Sequence, residues 1–364
     1  MYENDKRIVM TLDAGGTNFV FSAMRGCEEI VQPIRVPAVT DNLNACLGRI
    51  ADGFEQVRSM LSAAPVAISF AFPGPADYAN GIIGDLPNFK CFRKGVALGP
   101  FLRERFGLPV YINNDGNLFA YGEAAAGFLP YGNHLLEAAG SSRRYGNLIG
   151  ITLGTGFGGG VVVRGHLLTG DNGCGGDVWL MRNKKYPGLI CEESVSARAV
   201  TRVYEELTGC PVSSPKEVFE IAEGIADGSR NAAIKSFEEL GEMAGDAVIR
   251  ALNIIDGLVV VGGGVAAAAK YILPAMVAEM RKELATFSSA TFPCLQMRAF
   301  NMEDSEDLEE FLRDDSVMVR VPGSNEEVRY SIDKKTGVGV SRLGTSRAVA
   351  IGAYAIALSN IDNK

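Results

Sequence analysis

Val110-Tyr111-Ile112-Asn113-Asn114-Asp115-Gly116-Asn117 is an apolar, strand-like run that stops at a cluster of small polar groups. The residues that follow, Leu118 to Ala126, are rich in helix formers and end at Gly127, a usual C-cap. Asp115 stands at the break. A carboxylate at a strand's carboxyl end, with glycine beside it for close approach, lies where open α/β sheets bind ligands. Asp is also a favoured N-cap, so local grounds leave Asp115 as either a cap or a catalytic group.

Upstream of this stretch, strands and helices alternate, the pattern of an α/β unit. Arg7 to Leu12 and Phe19 to Met24 are β-type runs separated by Asp13-Ala14-Gly15-Gly16-Thr17-Asn18, a hairpin signal. Such a turn exposes backbone N–H groups to an anion, and an Asp beside them suggests a shared cation, as in a Mg-phosphate. Residues 41 to 62 carry helical spacing, residues 65 to 72 form an apolar strand ended by Pro73-Gly74-Pro75, and 96 to 106 read as helix. Asn88 lies in an irregular segment, as a turn residue or a ligand donor. His134 falls in a mixed segment, 130 to 144, read as loop or short helix.

Downstream, Asn147 to Leu153 enters Gly154-Thr155-Gly156-Phe157-Gly158-Gly159-Gly160, and Val161-Val162-Val163 leaves it. The glycines match the dinucleotide fingerprint, but that fingerprint requires a following helix and here a β-branched run follows. A second glycine hairpin, resembling the first some 140 residues on, suggests a duplicated unit. Leu258 to Val261 meets a third cluster, Gly262-Gly263-Gly264, with a strand before and a helix after, where backbone can approach a flat or anionic ligand. Residues 303 to 315 are acidic and read as a solvated helix or loop, 317 to 332 as a β-hairpin, and 346 to 358 as a final apolar helix.

Composition narrows the functional classes. The chain has 364 residues and a net charge of -8, which argues against a grip on nucleic acid phosphates. No apolar run is long enough to span a bilayer, and no signal region precedes the first strand, so a cytoplasmic location is expected. The seven cysteines include no Cys-x-x-Cys pair, and each is expected as a small buried hydrophobe. No Walker A loop, H-R-D motif or G-x-S-x-G elbow occurs, so P-loop, protein-kinase and serine-hydrolase chemistries are unsupported.

Leu12 to Asn18, Phe72-Pro73-Gly74-Pro75, Ile112 to Asn117, Leu153 to Gly160 and Val261 to Gly264 occur in the order found in the ROK family (repressor, ORF, kinase), and the chain resembles a glucokinase-like sugar kinase of that family. The resemblance implies an α/β, duplicated ribonuclease-H-like (actin-like ATPase) fold with two domains and an interdomain cleft. The expected domains are 1–128 with 345–364, and 129–344 with an insertion at about 301–342. The implied activity is transfer of the γ-phosphate of ATP to a hydroxyl, O6, of a hexose or N-acetylhexosamine. The implied catalytic base is Asp115. Asp13, Gly15, Gly16, Thr17 and Asn18, with Gly154, Thr155 and Gly156, are expected at the ATP phosphates, and Gly262, Gly263 and Gly264 at the adenosine. Gly74, Asn88, Asn114, Asp115, Asp177 and Glu193 are expected at the sugar. Mg²⁺ and a homodimer belong to the same expectation.

Two departures from the family pattern stand out. The family's zinc site uses a His three residues after a Glu whose position here is Asp177, and a cysteine cluster. Here Leu180, Lys184 and Tyr186 stand at ligand positions, and one remaining thiol, Cys191, cannot make a structural zinc site, so no zinc is expected. The missing histidine also touches the sugar, and Trp179 either packs there or is core. The alternative is a sugar-binding regulator without kinase activity. Family repressors place a helix-turn-helix before the first glycine loop, where only 12 residues precede Asp13.

Overall fold

A computed structural model describes residues 2–14, 17–86 and 89–363. The chain divides into two compact units, one of residues 1–127, 160–176 and 343–364, the other of 128–159 and 177–342. The segment 160–176, expected in the larger domain, groups with the first unit.

In the first unit, β1 (Val9–Ala14) and β2 (Asn18–Arg25) form the first hairpin, with β3 (Glu28–Glu29) and β4 (Ile34–Pro37) both paired to β2. Next come α1 (Leu43–Met60), β5 (Ala67–Ala71), the small hairpin of β6 (Ala76–Asp77) and β7 (Ile82–Ile83), α2 (Leu98–Phe106), β8 (Val110–Asn113) and α3 (Asp115–Ala126). The sheet order is β3-β2-β1-β5-β8, with β1, β5 and β8 parallel. Asp13, Ala71 and Asn113 stand side by side in register, so three strands release their loops at one edge. Under the sheet, Phe19, Phe54, Phe70, Phe72, Phe89 and Phe92 form a buried aromatic cluster. Each such ring contributes roughly 1.5–3 kcal/mol through burial.

The last helix, α10 (Thr345–Asp362), packs on α3. Glycine makes this crossing possible. A Cβ on Gly122 would fall 1.9 Å from the Ala348 carbonyl oxygen, and one on Gly352 would fall 1.9 Å from that of Leu118.

The second unit begins with α4 (Phe128–Ala138), so the segment left open between loop and helix is a helix over its first part. A second sheet has the order β11-β10-β9-β12-β18-β15, formed by β9 (Leu148–Leu153), β10 (Phe157–Val163), β11 (His166–Leu167), β12 (Leu258–Gly262), β15 (Arg298–Asn301) and β18 (Lys335–Val340). Around it lie α5 (Ala197–Thr208), α6 (Pro215–Ala222), α7 (Arg230–Ile255) and α8 (Ala269–Met280), the hairpin of β13 (Glu283–Ala285) and β14 (Thr291–Pro293), and α9 (Ser305–Leu312). Sequence signals set their ends. Ser214 caps α6 ahead of Pro215, and Gly209 closes α5 in the left-handed region.

The stretch 301–342, expected as an insertion, contributes at both ends to the second sheet. Asn301 ends β15, and residues 335–340 are a sheet strand parallel to both β12 and β15. Within this stretch the ribbon of β16 (Ser316–Arg320) and β17 (Glu327–Ser331) pairs with neither of the two larger sheets. The acidic stretch before it is more than a solvated face. Asp304 caps α9, Asp307 pairs with Arg281, and Glu303 accepts from Val340 N and Arg342. Nor are all thiols core, since Cys174 and Cys210 are exposed.

Candidate active site

In the first unit the decisive element is the start of α3. Asn114, not Asp115, is the N-cap: its Oδ1 accepts from Gly116 N at 2.8 Å. Asp115 is the first helical residue and is exposed, its Oδ1 2.9 Å from the same N–H. The carboxylate is therefore presented to solvent at the positive end of a helix, at the carboxyl end of β8. Asn113, buried behind it, accepts from Asn114 N at 2.8 Å and from Asn117 Nδ2 at 3.0 Å. Asn117 Oδ1 is buried without a hydrogen-bond partner. Neither Asn113 nor Asn117 was singled out from sequence; their spacing of four at a helix start was the available signal.

Asp13 lies at the end of β1, and its carboxyl is held above the ordinary carboxylate range. Crowding by surrounding protein is the main cause, opposed by Arg35 and reinforced by the charge of Asp115. Asp13 is nevertheless exposed by surface area, so water screens much of this effect. Thr17 and Asn18 stand beside it, the Thr17 carbonyl accepting from Ala38 N and Asn18 pairing in register with Pro37. Gly74 lies on the loop after β5, where a Cβ would reach 3.2 Å from Tyr78 Oη. Gly15, Gly16 and Asn88 lie outside the described residues.

In the second unit the glycines separate by what surrounds them. Gly154 and Gly264 face open space, as ligand approach requires. Gly156 is crowded by the Glu192 carboxylate, and Gly263, at φ 90°, by the Leu153 backbone. Gly160 belongs to the first unit and packs on α3, where a Cβ would fall 2.6 Å from the Gly116 carbonyl oxygen. The glycine run read as one phosphate loop thus serves packing as well.

Glu193 accepts from Arg198 at 2.7 Å, a bond that holds its carboxyl below the ordinary range. Glu192, beside it, accepts from Phe157 N at 2.9 Å. Asp177 is exposed, its carboxyl raised by desolvation and lowered in part by the Trp179 side chain, and Trp179 is half-buried.

At the family's zinc positions, Lys184 bonds Glu279 at 2.6 Å and Glu242 at 3.0 Å, while Tyr186 lies beneath Lys185 and Arg202. Leu180 is exposed. The Cys191 thiol is buried, and desolvation pushes it up to about 12. Among the described residues no group of three or more His, Cys, Asp or Glu could hold a metal ion.

The model of the ROK family matches residues 9–306. A solved glucokinase from Parabacteroides distasonis is 57% identical, with a TM-score of 0.91 over 99% of each chain. A glucokinase of Thermotoga maritima is 32% identical over 168 residues, which span 46% of this chain and 48% of that one. An N-acetyl-D-glucosamine kinase of Vibrio cholerae is 28% identical, covering 69% of this chain and 82% of the relative. Fold and likeness define a sugar kinase with the actin-like ATPase fold, a phosphotransferase of hexokinase type with an alcohol group as acceptor. The chain belongs to the ROK family.

Proposed function

We propose that the chain transfers the γ-phosphate of ATP to the 6-hydroxyl of a hexose or N-acetylhexosamine, with Asp115 as general base. The observation that carries this is the placement of Asp115: a carboxylate freed from capping by Asn114 and presented at the end of β8. Phosphoryl transfer needs positioning and charge neutralisation more than covalent help. Asp115 orients the sugar hydroxyl and takes its proton as the new O–P bond forms and the bond from the γ-phosphorus to the bridging oxygen of ADP breaks. Asn114, with its Oδ1 engaged by Gly116 N, offers its Nδ2 to a sugar oxygen. Gly74, Asn88, Asp177 and Glu193 complete the sugar set. Asp13, Gly15, Gly16, Thr17 and Asn18, with Gly154, Thr155 and Gly156, receive the phosphates, and Gly262, Gly263 and Gly264 the adenosine.

Asp13 suits Mg²⁺, which requires one or two carboxylates besides phosphate oxygens and water, because it is an exposed carboxylate near the end of β1. When bound, Mg²⁺ supplies neutralisation of phosphate charge. A reducing cytoplasm is the setting of this reading, which the scattered cysteines, without a Cys-x-x-Cys pair, fit. The homodimer stays within this reading on the family likeness alone, and sedimentation of the purified protein checks it.

The experiment is ADP release with ATP and Mg²⁺ across glucose, fructose, mannose, N-acetylglucosamine and N-acetylmannosamine, on wild type and Asp115→Asn. One preferred sugar with wild type, and a loss of roughly 10²- to 10⁴-fold in kcat with retained sugar binding in the variant, is expected. Unchanged turnover in the variant would remove Asp115 as the base. Silence across the panel with sugar still raising Tm would favour a sugar sensor.

A further inference from the structure

The second glycine loop is held at three points by the segment that starts α5. Gly154 O accepts from Ala197 N at 2.7 Å. Thr155 O accepts from Arg198 Nη1 at 3.4 Å, and Phe157 N donates to Glu192 Oε2 at 2.9 Å. The other oxygen of Glu192 accepts from Arg198 Nη2 at 3.0 Å, and that same nitrogen donates to Glu193 Oε1 at 2.7 Å. Gly156 is shaped by this clamp, because a Cβ there would lie 2.5 Å from Glu192 Oε2. One planar guanidinium therefore touches the loop carbonyl, the carboxylate that fixes the loop, and a carboxylate assigned to the sugar. A lysine has no fork with which to do this.

The geometry points to Arg198 as a positioning residue that couples sugar binding to nucleotide binding. This rests on the kinase reading above and on Glu193 as a sugar ligand. A sugar hydroxyl that donates to Glu193 competes with Arg198 for that carboxylate. The guanidinium then bonds more fully to Glu192 and to the Thr155 carbonyl, and the loop is fixed in one arrangement before ATP arrives. Arg198 and Glu193 are both solvent-exposed, with side-chain exposures of 47% and 41%, so the pair adds little to folding stability. Its effect lies in loop position, and by reciprocity nucleotide must tighten sugar by the same factor.

The test is calorimetric titration of AMPPNP with Mg²⁺, with and without the panel sugar that gives highest turnover. It is run on wild type, Arg198→Met, Arg198→Lys and Glu192→Gln, alongside steady-state kinetics and Tm. In wild type the sugar is expected to tighten AMPPNP by about 5-fold or more, within the usual range of such couplings. Both Arg198 variants should reduce that factor below about 2-fold and raise the KM for ATP, with kcat at saturation and Tm little changed. Glu192→Gln keeps an oxygen for Phe157 N but sets an amide against the guanidinium, and should lose coupling in the same way. A role confined to folding would instead lower Tm and leave the coupling factor of the folded fraction intact. Full coupling in folded Arg198→Met, or in Glu192→Gln should the former not fold, overturns the proposal. So does independent binding of sugar and AMPPNP in wild type. Failure of the kinase reading looks different, because wild type would then release no sugar-dependent ADP.

Discussion

At the scale of single residues, Asp13 carries a charge that the free protein disfavours. Its carboxyl is raised in the folded state, mainly through crowding and further through Asp115. The ionised form therefore opposes folding above the folded pKa, and this opposition fades as pH falls through the unfolded carboxylate range, near 3.9. Asp13→Asn is expected to raise Tm at pH 7 slightly, on the order of 1 °C because the group is exposed, with the gain gone below about pH 3. The same variant should weaken Mg-ATP binding; thermal melts across pH and the KM for ATP check both effects. Asn114 works in the opposite sense, stabilising the start of α3. Asn114→Ala should cost about 1 kcal/mol in urea unfolding and also weaken sugar binding, whereas Asp115→Asn leaves that cap intact.

Among the elements, the crossing of α3 and α10 tolerates the least change. A methyl on Gly352 meets a carbonyl oxygen at 1.9 Å, and backbone cannot yield as a side-chain tip can. Gly352→Ala is expected to lose about 1–3 kcal/mol or more in urea unfolding, with a fall in kcat because α3 carries Asp115 at its start. The segment at the family's zinc site is held differently, by the bonds of Lys184 to Glu242 and Glu279. Dialysis against a chelator should leave Tm within about 1 °C and release far less than one zinc per chain, as measured by a metal-sensitive dye. Strand ends, glycine turns and helical spacing were legible here because each rests on a local pattern. The cap at Asn114 was not, because Asn and Asp satisfy the same rule and only backbone geometry assigns the role. Nor was Glu192, whose partner Phe157 lies 35 positions away in the chain.

Over the whole molecule, the duplicated α/β plan was legible from the repeated strand–glycine–strand units, while the sheet pairing of residues 335–340 was not. Residues 335–340 read as a continuation of the hairpin region, and only their parallel pairing with β12 and β15 places them in a sheet. The ribbon of β16 and β17 has an apolar face of Val317, Val319, Val328 and Tyr330, all exposed. Replacing residues 316–331 by a short glycine-serine link should leave kcat within about twofold and improve solubility, measured by turnover and by light scattering. The docking of α10 on α3 has a bearing on biosynthesis. Strands β1, β5 and β8 and helix α3 emerge from the ribosome early, yet the helix that covers them belongs to residues 345–362 and emerges only after the entire second unit. Through most of translation the face of α3 that α10 covers stays open, so the nascent first unit shows apolar surface to solvent until α10 leaves the exit tunnel.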